Sequence, residues 1–163
     1  MAIQTLIAAL ETQLHLLEEF FDLLSRETGE LSAIHLDAMA EINRQKESIA
    51  ARIEAHSAVL RKEMEAAASR EGLPSKAKLG ELAATCTKKG MKDVSRLHAE
   101  INGVADRIKQ LISLNREIAE RFAASVTSSL ELLTRILKQS TTYGATGGYQ
   151  QRPAGAVIIN REA

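Results

Sequence analysis

The stretch Ile3–Leu24, IQTLIAALETQLHLLEEFFDLL, decides how this chain folds. Its residues Ile3, Ile7, Leu10, Leu14, Leu17, Phe21 and Leu24 step alternately by four and three. That spacing keeps one apolar stripe of an α-helix turned toward a partner helix. Thr28-Gly29 marks the expected end of this first helix, because glycine tolerates the left-handed backbone found just past helix termini.

Outward from this run the same pattern recurs. A second helix is predicted from about Leu31 to Arg70, with Met39, Ile42, Ile49, Ile53, Leu60 and Ala67 on its stripe and Lys46 and His56 in the gaps. About 40 residues at 1.5 Å rise make roughly 60 Å of helix, thicker than a globular core, so a rod is expected. Glu71-Gly72-Leu73-Pro74-Ser75 breaks it, since proline disfavours helical geometry in the residue before it. A short helix over 75–86 (Leu79, Leu82, Ala83) and a Lys88-Lys89-Gly90 connector follow. From about Met91 the stripe is Leu97, Ile101, Val104, Ile108, Leu111, Asn115, Ile118 and Phe122, and then it shifts to Val126, Leu130, Leu133 and Leu137. The shift inserts a step of four, which locally unwinds a coiled coil. Gly103 inside this helix either allows another helix to approach closely or is merely tolerated. Helical character fades at Ser140-Thr141-Thr142. The fold expected is all-α: an elongated antiparallel helical bundle or hairpin of coiled-coil-like helices over 1–140, with a flexible C-terminal tail over 141–163.

Composition agrees. In 163 residues, 45% are apolar, 26% charged and only 3% aromatic, with no Trp, so a core would be built from Leu, Ile, Val, Ala and Met. The formal net charge is zero, yet residues 1–30 carry −5 and residues 72–140 carry +5. An acidic first helix and a basic last helix are expected to attract each other when antiparallel, and the interspersed acids argue against a nucleic-acid track. Cys86 is alone, which excludes an internal disulfide and points to packing in a reducing compartment. The N-terminal stretch has no basic leader and carries Glu11, Glu18 and Glu19, so neither a secretory signal nor a membrane span is expected, and a cytoplasmic location is.

Chemistry is sparse. His15, His35, His56 and His98 lie on predicted helices without a metal-binding spacing, so neither metal nor cofactor is expected. A phosphotransfer role for His98 is not expected, because Ala99-Glu100-Ile101-Asn102 follows it in place of the Lys-Gly pair usual in such domains. The glycines at 144, 147 and 148 neither follow a strand nor open a helix, so no phosphate loop is present. An enzyme is not expected. Asn115, on the apolar stripe between Leu111 and Ile118, either fixes helix register from a buried position or faces water. Ile108, Leu111, Ile112, Leu114 and Ile118 give the last helix more apolar width than a two-helix seam needs. The surplus either packs on a third helix, self-associates as in a structural coiled coil, or receives a partner's amphipathic helix.

The stretch TTYGATGGY (141–149) holds both tyrosines of the chain. A tyrosine buries a large ring with two torsions to freeze, so Tyr143 suits either docking to another protein or capping the bundle. Val157-Ile158-Ile159 poses the same choice.

A front helix, the run Ile-Asn-Arg-Gln-Lys-Glu-Ser-Ile at 42–49, Leu114-Asn115 in the late helix and Tyr143-Gly144-Ala145-Thr146-Gly147 after it together resemble the FlgN family of flagellar type III export chaperones. The resemblance spans nearly the whole chain. It implies a cytoplasmic chaperone without cofactor that binds the C-terminal helices of the hook-filament junction proteins FlgK and FlgL, keeps them from assembling early and delivers them to the export gate protein FlhA. On this chain it places client binding at Ile108, Leu111, Leu114, Asn115, Ile118, Phe122, Val126, Leu130, Leu133 and Leu137, and gate docking at Tyr143 with Gly144 and Gly147. It leaves a homodimer open as the resting state. Ile112 and Arg116 depart from the family's Asn-x-x-Asn-Gly pattern around Asn115.

Overall fold

The computed structural model describes the backbone over residues 2–142 and side chains over residues 3–138. Four helices fill this range: α1 (Ala2–Ala33), α2 (Leu36–Arg70), α3 (Leu79–Lys88) and α4 (Asp93–Thr142). No strand occurs among the described residues. The expected all-α bundle is what forms. Internal contacts divide the chain into two units, Met1–Ala119 and Glu120–Ala163.

In the first unit α1 is the helix with neighbours on two sides. Leu6 and Leu10 pack with Ala67 of α2, with Leu82, Ala83 and Cys86 of α3, and with Val94 and Leu97 of α4. Further along, Leu24 packs with Val104 and Ile108 of α4, and Leu17, Phe21 and Leu111 close over them. Each fully buried Leu contributes about 1.5–3 kcal/mol. Besides the expected stripe, α1 buries Leu6, Ala9, Gln13 and Leu16, a second line of residues that a helix with a single partner would leave exposed.

The pairings fix the helix directions. The Nε2 of His56 lies 2.8 Å from the carbonyl oxygen of Ala9, Arg52 donates to Glu19 at 2.6 Å, and Arg26 donates to Gln45 at 3.3 Å, so α2 runs antiparallel to α1. By contrast α4 runs parallel to α1, its start level with Leu6 and Leu10 and its residues Ile108 and Asn115 level with Leu24. This corrects the expectation that the acidic first and basic last helices pair antiparallel. The reason is one of magnitude: exposed ion pairs contribute about 0–1 kcal/mol each, too little to oppose burial of whole Leu stripes. The acids of α1 find partners on α2 instead, where the hydrogen bond from Arg52 holds the Glu19 carboxyl below its usual range and Lys46 pairs with Glu27.

Three helices end in the same way. Past α2, Leu73 N–H donates to Ala68 O at 2.9 Å and Gly72 N–H to Ser69 O at 3.3 Å. Past α3, Met91 N–H donates to Cys86 O at 3.0 Å and Gly90 N–H to Thr87 O at 2.9 Å. These are Schellman closures, with Gly72 at φ 72° and Gly90 at φ 85° in the left-handed region. Leu73 and Met91, the residues after them, pack back onto the core. The first helix does not stop at Thr28-Gly29 but runs on to Ala33. Gly29 costs about 1 kcal/mol inside a helix, and continuation buries Leu31. Its closure has the same bonds, His35 N–H to Glu30 O at 3.1 Å and Ile34 N–H to Leu31 O at 3.2 Å. Here, however, the left-handed position is held by Ile34 at φ 59°. A β-branched side chain in that conformation costs about 1–2 kcal/mol, and Ile34 is exposed and recovers little by burial. Ile34→Gly is therefore expected to stabilise the fold by about 0.5–1 kcal/mol after the glycine entropy is counted. A thermal melt should show the midpoint rising by roughly 2 °C; an unchanged or lower midpoint would mean the turn is not strained.

One open choice resolves. A Cβ built on Gly103 would meet nothing within 4 Å, so no helix approaches closely there. His98 is half-buried beneath α3, where the site of a Gly80 Cβ lies 3.4 Å from its ring, and its Nε2 is 3.0 Å from Asn102 Nδ2. Cys86 is buried, and burial foremost, then the Glu71 carboxylate, pushes its thiol up against the opposing pull of Lys89. A thiol held protonated in this way packs as a small apolar residue.

Candidate functional site

The polar residue on the α4 stripe is buried, and three helices converge on it. Asn115 Nδ2 donates to the Leu24 carbonyl at 3.0 Å and to Glu27 Oε2 at 2.9 Å, while Thr28 Oγ1 lies 2.6 Å from Asn115 Oδ1. The other carboxylate oxygen of Glu27 accepts from Lys46 of α2. The side-chain amide thus has both donors and its acceptor satisfied, and the chain Lys46–Glu27–Asn115–Thr28 ties α2, α1 and α4 at one level. A polar group at such a seam fixes register, because any slip leaves buried donors and acceptors unpaired.

Beside this network, still within the first unit, an apolar groove of about 510 Å³ opens between α1, α2 and α4. Leu24 and Leu31 form its floor, Met39 and Ala50 one wall, Ile112 and Ala119 the other. Ile112 is exposed on this edge.

The second unit presents a different surface. Every described side chain from residue 120 to 138 is exposed. Phe122, Val126, Leu130, Leu132, Leu133, Ile136 and Leu137 are between 37% and 65% exposed, far from the near-zero values of the core leucines. At about 100° per residue these seven cover roughly 160° of the helix circumference. Ser125 and Ser129 fall within the same arc, so the face is broadly apolar with two small hydroxyls inside it.

The site residues taken from the sequence therefore fall into two groups. Ile108 and Asn115 are buried within the molecule, and Leu111 and Ile118 are half-buried, Leu111 on the Leu24–Val104–Ile108 cluster. Leu114 is exposed, as are Phe122, Val126, Leu130, Leu133 and Leu137. Leu132 and Ile136 widen the exposed face and were missed, although their spacing of four beside Leu133 and Leu137 was a readable signal. Tyr143, Gly144, Gly147, Tyr149 and Val157-Ile158-Ile159 lie outside the described residues.

Among the described residues no group of three or more His, Cys, Asp or Glu could hold a metal ion, and no helix is long and apolar enough to cross a membrane. The described residues thus form a helical bundle with a buried register network and a broad exposed apolar face on its last helix. The family model described as FlgN protein matches residues 1–151, and the chain belongs to the FlgN family. That family is one of flagellar export chaperones, not of enzymes, and the general role in flagellum assembly and export follows from membership. No curated protein and no solved structure matches the chain.

Proposed function

We infer that this chain is a cytoplasmic chaperone for hook-filament junction proteins, FlgK and FlgL, and that it captures their C-terminal amphipathic helices on the apolar face of α4 between Phe122 and Leu137. The observation that carries this reading is the run of large apolar side chains exposed along that segment. Ile108 and Asn115 are used up inside the molecule, so the contact is assigned to Phe122, Val126, Leu130, Leu133 and Leu137, joined by Leu132 and Ile136. Covering this face keeps a client from assembling early, because the same apolar stripe of the client would otherwise pair with its neighbours in the flagellum. Burial at about 25 cal/mol per Å² of apolar surface, offset by ordering the client segment, supports micromolar or tighter binding.

The test is calorimetric titration of the full chain with peptides spanning the C-terminal helices of FlgK and FlgL. Saturable binding at a fixed small stoichiometry is expected. Absence of binding, together with concentration-dependent oligomers of the chain alone in light scattering, would favour a self-associating coiled coil.

Delivery is assigned to the residues after the helix, with Tyr143 as the anchor for the cytoplasmic domain of FlhA and Gly144 and Gly147 letting the chain turn to present it. Tyr143→Ala is expected to leave client affinity unchanged and to weaken FlhA docking by about tenfold or more, in line with removal of an aromatic anchor. Equal loss of both affinities would refute this division of labour.

A further inference from the structure

The first unit shows how much of a helix one neighbour covers, and how much two cover. Between residues 106 and 119 the buried or half-buried side chains of α4 are Ile108, Leu111, Asn115 and Ile118, where α4 packs against Leu24 and Glu27 of α1. At about 100° per residue these four span about 80° of the helix circumference. By contrast α1 has α2 on one side and α4 on the other. Its buried and half-buried apolar side chains run from Leu16 and Ala9 through Leu6 and Leu10 to Leu14 and Ile7, about 180° of circumference. The exposed arc of α4, from Leu132 through Phe122 to Leu130, spans about 160°. Arg121 and Arg135 lie beyond its Leu132 edge and Thr134 and Thr127 beyond its Leu130 edge, so polar side chains close the arc on both sides. Its width is that of a helix with two neighbours. The two halves of the arc also differ. Val126, Leu130, Leu133 and Leu137 make one half entirely of large branched side chains. The other, with Leu132, Ile136 and Phe122, is notched by Ser125 and Ser129, where a partner helix can come closer. The Ser129 hydroxyl donates to Ser125 O at 3.0 Å, so it can be covered without seeking a new partner.

We propose that this face holds two helices of one client chain side by side, the C-terminal helix on the all-branched half and a second amphipathic helix of the same client on the serine-notched half. The inference rests on the client reading above and deepens it. One helix, with the footprint that α1 leaves on α4, would leave about half of the arc in water. A second copy of this chain would do no better, because pairing α4 with α4 covers one such footprint on each helix. Two copies of one client helix would meet two unlike halves, whereas two different helices of a single chain match the asymmetry. The all-branched half offers the larger apolar burial and so takes the helix that binds as an isolated peptide.

The experiment titrates the full chain and two variants, Leu130→Asp and Leu132→Asp, with the FlgL C-terminal helix peptide and with full-length FlgL. Both residues are exposed in the free chain, so both variants are expected to fold as the parent does, which a circular-dichroism melt checks. Leu130→Ala and Leu132→Ala are expected to repeat the pattern without a buried charge. The peptide is expected to bind about tenfold or more weakly to Leu130→Asp and to change by less than about twofold with Leu132→Asp. Full-length FlgL is expected to lose about tenfold or more with each variant, at one client per chain. Full-length FlgL indifferent to Leu132→Asp, or two client chains bound per chaperone, would overturn the proposal while leaving the client assignment standing. So would a peptide weakened by both variants, since one helix would then span the arc. Failure of both peptide and full-length FlgL to bind the parent chain would overturn the client assignment and this inference with it.

Discussion

Replacing Phe122 and Leu130 together by Asp is expected to weaken client-helix binding by at least about 100-fold, because each side chain buried in the complex contributes about 1.5–3 kcal/mol. The stability of the free chain should barely move. Both residues are exposed in it, and surface substitutions usually stay within about 0.5 kcal/mol. That separation is the diagnostic feature, since substitution of a core residue would lower stability and binding together. Glu131→Ala with Arg135→Ala, on the opposite side of the same helix, serves as the matched control and should bind as the parent does. Calorimetry gives the affinity and a circular-dichroism melt gives the fold. A folded Phe122→Asp/Leu130→Asp chain that keeps its affinity would count against the assigned face.

The second large effect is expected at Asn115. Asn115→Leu removes a buried amide and deprives a Glu27 carboxylate oxygen and the Leu24 carbonyl of its hydrogen bonds, while the Thr28 hydroxyl keeps only its bond to the Leu24 carbonyl at 3.0 Å. Leaving such groups unpaired costs about 1–3 kcal/mol for each, more when one is charged. A total loss of about 3 kcal/mol is expected, readable in chemical denaturation, and at roughly 2–4 °C per kcal/mol the melting midpoint should fall by about 10 °C. A variant as stable as the parent would show that the stripe tolerates an apolar residue there and that the network does not fix the register of α4 against α1.

Much of the fold was legible because it rests on periodicity. The four-three stepping of Ile3–Leu24 gave α1, and the same stepping gave α2 and α4 with the loops between them. The direction of α4 was not legible. Charge balance suggested antiparallel pairing of first and last helices, whereas packing of Leu6 and Leu10 on Val94 and Leu97 makes them parallel. Surface charge is a weak term, and the chain has enough long segments to reverse twice. Nor was the end of α1 legible: Gly29 carries the usual stop signal, and nothing about Ile34 announces a left-handed residue. A helix flanked on two sides also buries two lines of residues, so Leu6, Ala9, Gln13 and Leu16 were hidden behind the more regular stripe. For the site, the surplus of apolar residues on the late helix was readable, but its division was not. Which of Ile108, Leu111, Asn115 and Phe122 meets α1 depends on how far α1 extends beside α4, and sequence spacing does not encode that length.

The central claim is that the apolar face of α4 between Phe122 and Leu137 receives a foreign helix. Hydrogen exchange of the full chain, measured by mass spectrometry with and without the FlgL C-terminal helix peptide, tests it most directly. The account predicts that amides over residues 120–138, whose described side chains are exposed, gain strong protection on addition of peptide, while those of the first unit change little. Protection that appears only in the groove lined by Leu24, Met39 and Ile112, with residues 120–138 unaltered, would contradict it.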